Sequence, residues 1–215
     1  MKTPRNAGEV EQVKNRILDQ ALDIICREGL DALTMRRLAK QTGMTAPNLY
    51  NYYSSKDVIY IAIVIKGFGI LADRLNAAAA GAETPARKAR ACMLAYIEFG
   101  FEYSAYYEIM FTRAAPKYED YVGTPYEELS AVEYRISMEI ASLAADLVAK
   151  LSAGRQSDEI ITRRVIEVWT LLHGIVSLSN SRMVGYVAKD TTRLYHTIVD
   201  EVLGLFQAHS SEAFR

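Results

Sequence analysis

An all-α fold of about nine helices is what this sequence predicts, and three observations carry the prediction. Half of the 215 residues are hydrophobic, so the chain can bury a substantial core. Glycine and proline are sparse, at 12 and 5 residues, in a chain rich in Ala, Leu, Ile, Glu and Arg. Apolar residues recur at helical spacing, and no run alternates apolar with polar for long.

The elements follow in order. Residues 1–8 carry Lys2, Pro4, Arg5 and Gly8 and read as a loose basic arm. From about Glu9 to Glu28, Val13, Ile17, Ala21, Ile24 and Ile25 line one helical face, and Gly29 is a natural stop. Thr34 has the side chain to cap a short helix through Gln41. Gly43 supplies the positive φ of a turn, and Thr45 caps the next helix with Pro47 in its first turn, where a missing N–H costs little. Ser54 or Ser55 opens a long helix to about Ala80. Its run "VIYIAIVIKGFGILA" (58–72) is interrupted by Lys66 and is shorter than the roughly 20 residues a bilayer needs, so it reads as a helix covered by protein. Further helices are expected at about 85–102 and 104–112, a loop at 113–124, and long helices at about 125–153, 157–181 and 189–208.

Charge and chemistry narrow the function. Residues 1–56 hold nine Lys/Arg against six Asp/Glu, a balance of +3; the remainder holds sixteen against twenty, or −4. A basic first quarter on an acidic body points to a polyanion partner for that quarter. Cys26 and Cys92 sit in apolar helical patterns with no Cys or His at metal spacing, and read as buried reduced thiols in a cytoplasmic protein. There is no Gly-rich phosphate loop, no metal-ligand spacing and no catalytic triad; His173, His196 and His209 lie beside no obvious nucleophile. No enzyme, metal or cofactor is expected.

The segment "TMRRLAKQTGMTAPNLYNYY" (34–53) meets the demands of a helix-turn-helix. Ala39 is small where two helices cross, while Leu38, Met44 and Leu49 face inward. The second helix then presents its first residues to the major groove of double-stranded DNA. Ala46, Pro47 and Asn48 form the tip: Asn pairs bidentately with adenine, and Ala and Pro meet a thymine methyl. Thr45, Tyr50, Tyr52 and Lys56 are expected on phosphates, with Thr34 and Arg36 on the opposite strand. Tyr53 reads as core. Tyr50 is open between packing, clamping a phosphate, or both, and Arg37 and Lys40 between contact and an ordinary solvated face.

The fuller pattern, "ILDQALDIICREGLDALTMRRLAKQTGMTAPNLYNYYSSKDVIY" (17–60), closely resembles the start of TetR-family transcriptional regulators over about a fifth of the chain. It has the amphipathic helix ending in Gly, the Thr-x-Arg-x-apolar-Ala start, the Gly turn, and Leu-Tyr-x-Tyr-aromatic-x-x-Lys-acidic. "VIEVWTLLHGIVSLSN" (165–180) resembles the segment that names the WHG-type C-terminal domain of that family, with Trp169, His173 and Gly174 in place, and "FGFEYSAYYEIMF" (99–111) fits the same subgroup. The resemblance implies a DNA-binding head over 1–54 and a helical ligand-binding and dimerisation domain over 55–215. It implies a repressor that binds palindromic DNA as a homodimer and is released by a small-molecule effector. The alternative is a DNA-binding regulator without an inducer, partner-regulated or architectural.

Two further sets follow. In the family the last two long helices pair with their copies, which makes Val165, Val168, Leu172, Ile175, Val176, Leu194, Ile198, Val202 and Leu205 the candidates for a dimer interface, against the reading that they only fill the core of one chain. Gly174 within a helix suggests a close backbone approach there. Eleven of the 21 aromatics lie between Tyr96 and Tyr134, and aromatic-lined cavities are common ligand sites. The candidate effector pocket is Tyr96, Phe99, Tyr103, Tyr107, Met110, Phe111, Tyr134, Trp169 and His173, against the reading of a dense core with tyrosines at its rim.

Overall fold

The computed structural model describes residues 6–152 and 156–212, with side chains to Phe206. Among them are ten α-helices and no strand: α1 Ala7–Glu28, α2 Met35–Thr42, α3 Ala46–Tyr50, α4 Lys56–Ala80, α5 Pro85–Glu102, α6 Ser104–Tyr107, α7 Tyr118–Tyr121, α8 Glu127–Leu151, α9 Asp158–Asn180 and α10 Thr191–Glu212. The all-α expectation holds, and the differences are local.

α1 begins at Ala7, two residues before the expected start. Asn6 accepts from the Glu9 N–H at 2.8 Å, and the Glu9 carboxylate accepts from the Asn6 N–H at 3.1 Å, a reciprocal cap that needs no apolar signal. Residues 1–5 of the expected arm lie outside the described residues. The expected helix at 104–112 is α-helical only to Tyr107; Glu108–Thr112 is a π-turn. The expected loop at 113–124 contains α7, whose start is fixed by the Asp120 carboxylate accepting from the Lys117 N–H at 2.8 Å.

The chain forms two compact units. The first runs to Phe68 and includes Ala105–Arg135. Its core is Ile17, Ala21, Ile24 and Ile25 of α1 with Leu33, Leu38, Leu49, Ile59 and Ile63, all buried. α1 packs on α2, and α2 on α3. The stretch from Ala105 to Pro116 is tied to α1 and α4 by polar contacts. The Tyr106 hydroxyl lies 3.5 Å from Asp19, which pairs with Lys66 at 3.2 Å. Arg113 donates to the Cys26 carbonyl at 2.6 Å, and the Tyr60 hydroxyl donates to the Pro116 carbonyl at 3.2 Å. Cys26 itself is half-buried rather than buried, its thiol 3.7 Å from the Ala105 carbonyl.

The second unit comprises Gly69–Ser104 and the chain from Ile136. Here α5 packs against both α9 and α10. Within the chain, the tight glycine of this unit is Gly100. A Cβ on Gly100 would overlap the Val176 side chain, whereas one on Gly174 meets open space within the chain. Asn180, one turn along α9 from Val176, donates to the Gly100 carbonyl at 3.0 Å. Cys92 is buried, its thiol 3.5 Å from the Leu75 carbonyl.

Candidate nucleic-acid interface

Local chemistry shapes the head. Thr34 caps α2 by accepting from the Arg37 N–H at 3.2 Å. α2 then ends at Gly43, whose φ of 68° is the left-handed conformation that glycine adopts at little cost. The Met44 N–H closes the turn on the Ala39 carbonyl at 2.8 Å, and Ala39 is buried where the helices meet. Thr45 caps α3 by accepting from the Asn48 N–H at 3.4 Å, with Pro47 in the first turn. α3 is only five residues long, and Tyr52 and Tyr53 continue it as a turn by donating to the Leu49 carbonyl at 3.0 and 3.1 Å.

This frame decides which side chains pack and which keep exposed surface. Leu38 and Leu49 have no exposed surface, and Tyr53 is buried, its hydroxyl pushed up to about 12 mainly by that burial. Met44, expected to face inward, is half-buried. Thr34, Arg36, Thr45, Pro47 and Lys56 are exposed, and Ala46, Asn48 and Tyr52 half-buried. Tyr50 is 52% exposed, so its hydroxyl is not consumed by packing. Arg37 is held by Glu28 in a two-pronged ion pair, which keeps the Glu28 carboxyl below its usual range. Arg37 therefore braces α2 against the end of α1, while the Arg36 side chain beside it makes no hydrogen bond or ion pair among the described residues.

The expected effector residues divide between the units. In the first, Tyr107 and Met110 are buried, Tyr107 meets Phe111 at 5.0 Å between ring centroids, and Tyr134 is exposed and stacks on Tyr118 at 4.9 Å. In the second, Tyr96 and Phe99 are buried, Phe99 stacks on Tyr103 at 5.6 Å, and the Trp169 indole donates to the Tyr96 hydroxyl at 2.9 Å. His173 is half-buried.

The expected interface residues also divide. Leu172, Ile175 and Val176 are buried within one chain. Val165 and Val168 are half-buried on α9. On α10, Tyr195, Val199 and Leu203 form the buried face, while Leu194, Ile198 and Val202 are half-buried and Leu205 exposed on the adjoining stripe.

One feature of the first unit has no counterpart in the sequence reading. A cavity of about 460 Å³ opens between the end of α1, the start of α4 and residues 109–116. Its walls come from three stretches far apart in the chain, so no local motif marks it.

Comparison with known proteins agrees with this geometry. Residues 17–63 match the profile of bacterial regulatory proteins of the tetR family, and residues 89–202 that of the tetracyclin repressor-like C-terminal domain. The uncharacterized HTH-type transcriptional regulator Rv0681 of Mycobacterium tuberculosis is 28% identical over 177 residues, 82% of this chain and 74% of that protein. A candidate regulatory protein of known structure, SCO4313, is 25% identical with a TM-score of 0.70, over 94% of this chain and 100% of that one. A tetR-family regulatory protein from Rhodococcus RHA1 superposes with a TM-score of 0.71 at 16% identity, over 91% and 97% of the two chains.

Proposed function

Because the chain belongs to the TetR family of bacterial regulatory proteins, we propose that it is a ligand-responsive transcriptional repressor that binds palindromic operator DNA as a homodimer. The family's members are transcriptional regulators and not enzymes, and this chain carries their helix-turn-helix DNA-binding domain. The observation that carries the reading is the division of labour in α2–α3. Two fully buried leucines and two threonine caps fix a short helix whose Pro47, Asn48 and Tyr50 keep exposed surface.

In this reading Ala46, Pro47 and Asn48 read base edges. Thr34, Arg36, Thr45, Tyr50, Tyr52 and Lys56 hold phosphates and set the register. The functional division falls at residues 54/55, with the head before it and the ligand-binding and dimerisation domain after it. Ile198 and Val202 on α10, with Val165 and Val168 on α9, supply the apolar face that a second copy covers. The open Cβ position at Gly174 suits close approach by that copy.

The effector is a small molecule, and of the residues expected to hold it those of the second unit, Tyr96, Phe99, Tyr103, Trp169 and His173, are the proposed site. It acts by binding the DNA-incompetent arrangement more tightly. The two heads must sit about 34–36 Å apart to meet successive major grooves, and a tilt of α4 sets that spacing. The site of action is the cytoplasm, where a DNA-binding regulator of this family meets its operator.

Selection of bound duplexes from random sequence, at fixed salt, tests the reading. It yields a palindrome with half-sites one helical turn apart or a multiple of it. An asymmetric site, or no enrichment, contradicts the dimeric repressor. The burial of Phe99, Tyr107 and Met110 favours the second reading, a regulator without an inducer. A library of small molecules that never changes operator affinity or head spacing decides for it.

A further inference from the structure

We infer that the cavity in the first unit is a binding site for a free α-amino acid with an apolar side chain, and that its occupant competes with DNA for Lys56. None of the effector residues discussed above lines it, and its volume of about 460 Å³ falls within the range of small-molecule pockets.

The chemistry of the walls selects the ligand class. Two cations, Lys56 and Arg113, and two carboxylates, Asp31 and Asp57, line the cavity. Lys56, Asp31 and Asp57 make no hydrogen bond or ion pair through their side chains among the described residues. Arg113 is fixed in place by Glu108 and by the Cys26 carbonyl. A simple anion entering here meets two carboxylates, and a simple cation meets two basic groups. A zwitterion pairs with both signs at once.

The apolar walls, Ile25, Leu30 and Ile109, suit a short hydrocarbon side chain. The start of the 25-residue α4 adds donors for the carboxylate. Ser55 accepts from the Val58 and Ile59 N–H groups, which leaves those of Lys56 and Asp57 outside the helical ladder.

The inference rests on the head reading in one respect, the role of Lys56 as a phosphate contact. An amino acid whose carboxylate engages Lys56 withdraws that charge from the DNA backbone, so occupancy weakens binding to all sequences alike.

The test uses the full chain and five probes, L-valine, L-leucine, L-isoleucine, L-methionine and L-phenylalanine, each at about 10 mM, together with the matching amines and carboxylic acids. For a millimolar Kd, at least one amino acid raises the melting temperature by about 3–5 °C. Neither its amine nor its acid analogue does so. The shift disappears in Lys56→Met and in Asp57→Asn, with Asp31→Asn as a second carboxylate variant, all showing unchanged far-UV circular dichroism. The protecting amino acid also lowers DNA affinity in the wild-type chain.

Three results overturn the inference: no amino acid protects; the amine or acid alone protects equally; or protection survives both Lys56→Met and Asp57→Asn, which places the ligand elsewhere. Protection that leaves DNA affinity untouched overturns the competition for Lys56. The melting experiment contains no DNA and the duplex selection no amino acid, so failure of this site and failure of the repressor reading are separately visible.

Discussion

The head and the α9–α10 pair expose opposite kinds of surface. In α2–α3 the two leucines, Leu38 and Leu49, are completely inside, and what is exposed includes Thr45, Pro47, Tyr50 and, just beyond α3, Lys56. In α9–α10 the arrangement reverses: Ile166, Trp169 and Leu178 are exposed, and Ile198 and Val202 are half-exposed on a stripe beside a buried face. The head is finished as a folded object and offers hydrogen-bonding groups to a polar partner. The helical pair carries apolar surface of the kind that marks a protein–protein contact. One chain thus completes its DNA-binding head and leaves, on α9–α10, an apolar stripe uncovered among the described residues.

This contrast can be broken from either side. The largest effect belongs to Leu49→Ala, which empties a fully buried position and costs the head about 2–5 kcal/mol. DNA binding is lost, while sedimentation still reports a dimer because the α9–α10 face is untouched. The converse change is Ile198→Glu with Val202→Glu. It makes the chain sediment as a monomer, keeps the head folded by NMR, and weakens operator binding by about 100-fold, or about 2.7 kcal/mol. If the double variant stays dimeric, the α10 stripe is not the interface.

Thr45→Ala removes the cap of α3 and costs about 1 kcal/mol, with operator affinity falling more than overall stability because the lost cap positions the reading tip. The smallest effect is a pH dependence. Arg37 holds the Glu28 carboxyl below its usual range. That pair therefore stabilises the head above the unfolded-state pKa of a glutamate, and its contribution is lost as pH falls through the lower folded value. Glu28→Gln melts slightly earlier than wild type at neutral pH, and the two curves converge in acid.

The same two regions show what a sequence makes legible. The helix-turn-helix could be read because each of its devices is local. Thr34, Gly43, Thr45 and Pro47 act within three or four residues of themselves, so their spacing is the structure. The exposed stripe of α10 is only half legible: helical period picks out the helix, but only packing separates Tyr195, Val199 and Leu203, which face their own core, from Leu194, Ile198 and Val202 beside them. Gly100 gives no local hint that Val176 and Asn180 meet it from about eighty residues away. The π-turn at Glu108–Thr112 looks like ordinary helix in its apolar pattern. α7 hides in a stretch whose Pro116 and Gly123 read as loop, and the cavity beside α4 draws its walls from three distant stretches.

The central claim is that the tip of α3 reads bases while its surroundings only position it. Parallel selection of DNA by the wild-type chain and by Asn48→Ala tests it most directly. The account predicts the same palindrome for both, with preference relaxed at one position per half-site and a cost of about 1–3 kcal/mol for the variant. Identical preferences at every position, or a uniform loss across all sequences, would contradict it.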